Sequence, residues 1–320
     1  MAQAPAKDTG GFLEGFIEKA GWAQAKREAL AADWGVKLFE RLTLPEGKKA
    51  ILIVWNGAID SFDNFVLLAR ELGRIDLSAP EIYAADEERQ VLLCEDFGEI
   101  DFSQAIGAGE NPHELYKIAS EVLHHLFMSF QENDLELPPY KGGRLHQAKD
   151  LIVSHYFKGT QEQVAAYNDL WVSFEEKLPP CPQTLLHGDY HLHNLMWLPQ
   201  REGIKRAGLI DLGTAMWGPV PYDLVNLLED IRRDVPEEIK SEMRTFYCQH
   251  MSPDERDDFD LWYDVLTFQF HSRVIGQIVK LDRDDLKQHL PRLQQYIKTH
   301  LEKDIFAPFK TWLNDQGFSV

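Results

Sequence analysis

Leu186-His187-Gly188-Asp189-Tyr190-His191-Leu192-His193-Asn194-Leu195-Met196-Trp197-Leu198 is the stretch on which the reading of this chain turns. A turn over Pro199 to Lys205 follows it, then Ala207-Gly-Leu-Ile210 and Asp211-Leu-Gly213. The two apolar runs, Leu195 to Leu198 and Ala207 to Ile210, read as a hairpin. Such a hairpin returns the chain so that Asp211 faces the loop that carries Asp189 and Asn194.

That set of side chains suits phosphoryl transfer to a hydroxyl. A carboxylate must orient the attacking hydroxyl and finally accept its proton, oxygen ligands must hold Mg²⁺ against the phosphates, and rigid strands must fix the spacing. Asp189 is placed for the first role; Asn194 and Asp211 are placed as metal ligands. Oxygen-only ligands suit Mg²⁺, which keeps waters and phosphate oxygens in its shell. His-x-Asp-x-x-x-x-Asn alone arises often by chance; joined to a strand, a turn and a strand ending in Asp-x-Gly, it is specific. A rival reading takes His187, Asp189, His191 and His193 as a metal cluster on one face of a strand. A zinc or dinuclear hydrolytic site wants further His or Asp ligands at recognisable spacing, and the remaining histidines are scattered. His187 reads instead as a buried residue that hydrogen-bonds the loop.

Downstream, Trp217-Gly-Pro-Val-Pro-Tyr-Asp223 reads as an ordered loop, with Asp223 as N-cap of a helix carrying Leu224, Val225, Leu227 and Leu228. Asp223 would tie that helix start to the catalytic loop. Upstream, Asp96-Phe97-Gly98 spells a kinase metal-binding triplet, but it precedes Asp189 where the functional triplet should follow. Order makes Asp211-Leu212-Gly213 the functional one and leaves Cys94, Glu95 and Asp96 as a hinge whose backbone groups can meet an adenine.

Farther out, Leu38 to Leu44 and Ala50 to Trp55 flank Pro45-Glu46-Gly47 as a hairpin, Ser61 starts a helix, and Ile82-Tyr83 and Gln90 to Cys94 read as strands. From about Phe102 the spacing is helical: His113 to Gln131, Gln161 to Leu178, Pro236 to His250, Asp257 to Lys280 and His289 to Asn314. The expected fold class is α+β and bilobal. A β-rich, nucleotide-binding lobe over 1–97 meets a helical catalytic and acceptor-binding lobe over 98–320, with a cleft between them. Trp262, Tyr263, His271 and Arg273 are candidates to line the acceptor wall.

A formal charge of −19 repels phosphate backbones and excludes nucleic acid and anionic membrane as expected partners. The three cysteines, Cys94, Cys181 and Cys248, form no Cys-x-x-Cys pair, which fits a reducing compartment. No apolar run approaches the ~20 residues of a membrane span, and Phe12 to Trp22 suits an amphipathic helix better than a signal peptide. A cytoplasmic protein is expected.

On these residues the chain resembles the aminoglycoside phosphotransferase and choline kinase superfamily, which shares the bilobal protein-kinase-like fold. The similarity runs from about Leu30 to Leu281. It rests on Leu186 to Leu198, Gly208-Leu-Ile-Asp211, Gly218-Pro-x-x-Tyr-Asp-Leu-Val-x-Leu-Leu-Glu-Asp230 and Leu92-Leu-Cys-Glu-Asp-Phe-Gly98. Tyr222 to Pro236 and Leu137-Pro-Pro-Tyr140 look closest to the bacterial anomeric N-acetylmuramate and N-acetylglucosamine kinases of cell-wall recycling. The resemblance implies ATP and Mg²⁺ as cofactors, Asp189 as catalytic base, Asn194 and Asp211 as metal ligands, and a small-molecule acceptor; an aminoglycoside- or choline-type acceptor is the alternative. Two departures stand out. The nucleotide loop is Asp33-Trp-Gly-Val-Lys-Leu-Phe39, and the strand Ile51-Leu-Ile53-Val-Trp55 lacks the lysine such kinases carry. Lys37, with Ile53 and the 94–96 stretch, is the candidate nucleotide contact. If nothing replaces that lysine, a pseudokinase that binds nucleotide without transfer is the other reading.

Overall fold

The computed structural model describes residues 10–30, 37–55, 57, 61–131, 134–282 and 284–319. Asp33 and Trp34 of the nucleotide loop lie outside them. In chain order the elements begin with α1 (Gly10–Lys19), β1 (Lys26–Leu30), β2 (Lys37–Thr43), β3 (Lys49–Trp55), α2 (Phe62–Arg74), β4 (Ile82–Asp86), β5 (Val91–Glu95), α3 (Phe102–Gly107) and α4 (Pro112–Ser129). Next come α5 (Arg144–Gln147), α6 (Gln161–Glu175), β6 (Gln183–Leu186), β7 (Leu195–Trp197), β8 (Ala207–Leu209), β9 (Met216–Pro219) and α7 (Tyr222–Leu228). The chain ends with α8 (Glu237–Tyr247), α9 (Pro253–Leu281), α10 (Asp284–Lys287), α11 (Leu290–Leu301) and α12 (Ala307–Asp315). Packing divides these into two compact units: Met1–Glu110 with His193–Thr214, and Asn111–Leu192 with Ala215–Val320.

The first unit is built on an antiparallel sheet in the order β1-β2-β3-β5-β4. The β2–β3 hairpin pairs Lys37 with Trp55 and Leu42 with Ala50, as the apolar pattern around Pro45-Glu46-Gly47 predicts. Strand β3 sits at the centre because both its faces are apolar. Ala50, Leu52 and Val54 pack with Leu13, Phe16 and Ile17 of α1. On the opposite face, Trp55 meets the edges of Phe62 and Phe65 of α2 at 5.2 and 5.6 Å. Ser61 caps α2 by accepting the Asn64 N–H at 3.1 Å. Strand β1 (Lys-Arg-Glu-Ala-Leu) has no apolar alternation to announce it; Arg27 holds it to β2 through Glu40 at 2.6 Å.

The expected hairpin around Pro199 is β7–β8, with Leu195 opposite Leu209 and Trp197 opposite Ala207. Gly208 leaves room for the Phe97 ring, which a Cβ there would meet at 2.7 Å.

The second unit is mainly helical. The segment 216–219, expected as loop, is instead strand β9 paired with β6, Leu185 opposite Trp217. Pro219 is tolerated because it ends a strand at the edge of a two-stranded ladder. The expected helix over 289–314 is two helices, α11 and α12, with a 3₁₀ turn at Asp304–Phe306. Pro308 explains the break, since proline fits a first helical turn and not an interior. Helix α9 begins earlier than its apolar spacing suggests, at a capping box of Ser252 and Glu255. Trp171, Phe174, Phe268, Phe306 and Phe309 form the centre of the core. Gly276 lets α9 touch the backbone at Leu151, where a Cβ would come within 2.2 Å. Among the described residues no helix is long and apolar enough to cross a membrane.

Candidate active site

In the second unit, strand β6 delivers the chain to His187-Gly188-Asp189, and α7 fixes it there. Asp223 Oδ2 accepts the His187 N–H at 2.6 Å, and Oδ1 accepts the Gly188 N–H at 3.0 Å. The N-cap of α7 is Pro221, so Asp223 lies within the first turn and is not the cap that its position suggested. It does tie the helix start to the loop. Gly188 has φ 86°, a left-handed conformation that glycine adopts without a Cβ clash. His187 is buried, its Nδ1 accepts the Asp189 N–H at 3.3 Å, and its ring stands edge-on to Tyr190 at 5.6 Å. Tyr190 donates to the Ala119 carbonyl at 2.8 Å, anchoring the loop to α4.

The Asp189 side chain is 48% exposed, with Oδ1 3.5 Å from His191 Nε2. Partial enclosure by the protein pushes its carboxyl up, but His191, then His187 and Arg232, outweigh that and hold it well below the usual carboxylate range. Burial pushes Asp223 up to about 7, against the pull of the His187 and Gly188 N–H groups and with a further push from the charge of Asp189.

The strand alternation that a His187, Asp189, His191, His193 cluster requires is absent: residues 187–191 are not a strand, and Leu192–Asn194 is a 3₁₀ turn. His193 turns to Asp101 at 3.0 Å within the first unit. Among the described residues, no group of three or more His, Cys, Asp or Glu side chains is placed to hold a metal ion.

In the first unit, the β7–β8 hairpin brings Asn194 beside the end of the returning strand, where its carbonyl accepts the Ile210 N–H at 3.2 Å. The next residue, Asp211, has φ 59°, a left-handed backbone that few residues other than glycine adopt. The Gly213 carbonyl accepts the Ser61 N–H at 3.0 Å, joining Asp211-Leu212-Gly213 to the start of α2. Lys37 of β2 places Nζ 2.7 Å from Asp211 Oδ1, passing 5.6 Å from the Trp55 ring and 5.7 Å from the Phe39 ring. Lys48 instead lies 4.5 Å from the Tyr83 ring. Lys37 is therefore the lysine that reaches the Asp-x-Gly turn. Asn194 and Asp211 offer oxygen donors, a set that fits a hard divalent cation.

The side chains of the 94–96 stretch are engaged. Cys94 is buried, and burial pushes its thiol up. Glu95 pairs with Arg201 at 2.5 Å, and Asp96 pairs with Arg41 at 2.5 Å. Arg41 also holds Glu99 and the Gly98 carbonyl, so Asp96-Phe97-Gly98 is a structural corner. Ile53 is buried in β3, 5% exposed.

Of the residues expected to line an acceptor wall, three are structural. Trp262 donates to the Pro179 carbonyl at 2.9 Å, Tyr263 donates to Glu229 at 2.8 Å, and His271 is buried against Tyr296, ring centroids 4.8 Å apart. Their helical spacing on α9 is core spacing. Arg273 is half-buried. The partnership of Tyr140 with Gln269, whose side chains hydrogen-bond inside the second unit, had no local signal beyond Leu137-Pro-Pro-Tyr140.

The sequence profile of the phosphotransferase enzyme family matches residues 39–259. A Caulobacter vibrioides protein named N-acetylmuramate/N-acetylglucosamine kinase is 25% identical, the match covering 93% of this chain and 94% of the relative. A solved choline/ethanolamine kinase family protein from Mesorhizobium loti superposes with TM-score 0.60 at 16% identity, over 95% of this chain and 97% of its own. An amicoumacin kinase solved with AMP-PNP and Ca²⁺ superposes with TM-score 0.61 at 15% identity, over 92% and 94%. At those identities the structural likeness is one of fold, and that fold is the protein-kinase-like one expected from the sequence.

Proposed function

The chain belongs to the phosphotransferase enzyme family, and from that premise we propose that it moves the γ-phosphate of Mg-ATP to a hydroxyl of an acetylated amino sugar, N-acetylmuramate or N-acetylglucosamine. The observation that carries the proposal is Asp189, a carboxylate held ionised by its histidines on a loop clamped by Asp223. Such a group accepts a hydrogen bond from the acceptor hydroxyl, orients it, and takes its proton as the O–P bond forms. Its depressed proton affinity suits orientation first and proton acceptance late.

Asn194 and Asp211 are the residues that would hold the cation, and Lys37 the one that meets the phosphates, since residues 51–55 of β3 include no lysine. A bound divalent cation would neutralise charge on the phosphate oxygens. The backbone at 94–96 and the apolar edge at Ile53 would receive the base. Support for ATP and a divalent cation comes from the neighbour solved with AMP-PNP and Ca²⁺. Support for the sugar comes from the Caulobacter relative.

The test is nucleoside-diphosphate release from Mg-ATP with N-acetylmuramate, N-acetylglucosamine, kanamycin and choline. Release dependent on an acetylated amino sugar supports the proposal. Release with kanamycin or choline alone moves the acceptor to the alternative class. Silence throughout, with ATP bound, points to a nucleotide-binding protein without transfer.

A further inference from the structure

Arg273 of α9 is half-buried. Its described contacts are a neutral hydrogen bond to Gln277 Oε1 at 3.2 Å and the Phe270 ring at 5.3 Å, and among the described residues it has no carboxylate partner. In a chain of formal charge −19, a half-buried guanidinium without an internal anion is available for an external one.

Its place is defined by a chain of contacts within the second unit. Asp223 clamps the His187-Gly188 backbone beside Asp189. The adjoining Tyr222 packs its ring 5.0 Å from that of Tyr140, and the Tyr140 hydroxyl donates to Gln269 Oε1. Gln269 and Arg273 are one turn apart on the same face of α9. The charge of Arg273 acts on the hydroxyls of both Tyr140 and Tyr222, and that of Asp189 acts on the Tyr222 hydroxyl too. These contacts link the loop that carries Asp189 to the face of α9 that carries Arg273.

We propose that Arg273 is a specificity-determining residue that binds a carboxylate on the acceptor, so that the enzyme favours a carboxylate-bearing amino sugar over its neutral counterpart. This rests on the sugar-kinase reading above. N-acetylmuramate is N-acetylglucosamine carrying a lactyl ether, and the added carboxylate matches the planar fork of a guanidinium. A site built to bind that carboxylate discriminates against the sugar lacking it.

The experiment compares kcat/KM for the two sugars in the wild type, in Arg273→Gln and in Arg273→Lys. The expected result is a preference for N-acetylmuramate that falls about tenfold or more in Arg273→Gln, mainly through KM. Arg273→Lys, which keeps charge but not the fork, should lose about threefold, and it carries the test if the glutamine variant does not fold. A ratio that stays put in the variants overturns the role of Arg273 while leaving the sugar-kinase reading intact. A wild type that phosphorylates neither sugar overturns that reading, and this inference with it.

Discussion

Lys37 Nζ lies 2.7 Å from Asp211 Oδ1, so the lysine of β2 reaches the Asp-x-Gly turn, whereas the lysine of the central strand, Lys49, stands at the other end of the hairpin opposite Thr43. The register explains the reach. Lys37 opposes Trp55 at the end of the hairpin, and its stem runs past the Trp55 and Phe39 rings. Under the proposed function this lysine exchanges its carboxylate for phosphate oxygens when nucleotide binds. Lys37→Met should then weaken Mg-ATP binding about tenfold or more, measured by fluorescence or calorimetric titration, with Lys37→Arg in between. Equal affinity in wild type and Lys37→Met would remove Lys37 from the nucleotide site.

Asp223 should matter first for the integrity of the loop. Asp223→Ala leaves the buried His187 and Gly188 N–H groups without their acceptor, at a cost of about 2–4 kcal/mol in denaturant unfolding. Asp223→Asn keeps one acceptor oxygen but turns its NH2 toward the other N–H, so it should cost about 1–2 kcal/mol, less than Asp223→Ala. Equal losses for the two variants would contradict the clamp.

Acid should destabilise the second unit through His271. Burial lowers this imidazole from 6.5 to about 4, with a partial offset from its hydrogen bond to the Glu229 carbonyl. Because the folded value is depressed, the neutral form's contribution is fully present above pH 6.5 and is lost as pH falls toward 4. The loss over that window is about 3 kcal/mol. The neighbouring His300, 5.6 Å away between ring centroids and likewise lowered by burial, adds a loss of the same sign. Thermal midpoints at pH 7.5 and 5.0 should converge in His271→Gln relative to wild type.

Gly276→Ala should cost about 1–3 kcal/mol by overpacking, since the added methyl meets the Leu151 backbone and not a side chain that can swing aside. An unchanged denaturation midpoint would mean that α9 can shift at no cost.

Much of this was legible in the sequence where local chemistry decides. The β2–β3 hairpin, the cap at Ser61 and the strand–turn–strand after Asn194 follow from apolar spacing and turn residues. What was hidden depends on partners distant in sequence. Strand β1 is polar on its own and is held by Arg27 to Glu40. Segment 216–219 reads as a proline-rich loop until β6 pairs with it. Lys37 and Asp211 are far apart along the chain, as are Tyr140 and Gln269, so no spacing rule could join them. Trp262, Tyr263 and His271 looked like a binding wall because helical spacing cannot tell a core face from a ligand face.

The central claim is that Asp189 orients the acceptor hydroxyl and takes its proton. Asp189→Asn tests it directly, because the amide keeps the side chain's shape while removing its charge and its ability to take the proton. The measurement pairs sugar-dependent nucleoside-diphosphate release with Mg-ATP titration on the same preparation. The account predicts a fall in kcat of about a hundredfold or more, with nucleotide affinity within about twofold of wild type. An Asp189→Asn variant that keeps most of its turnover would contradict it.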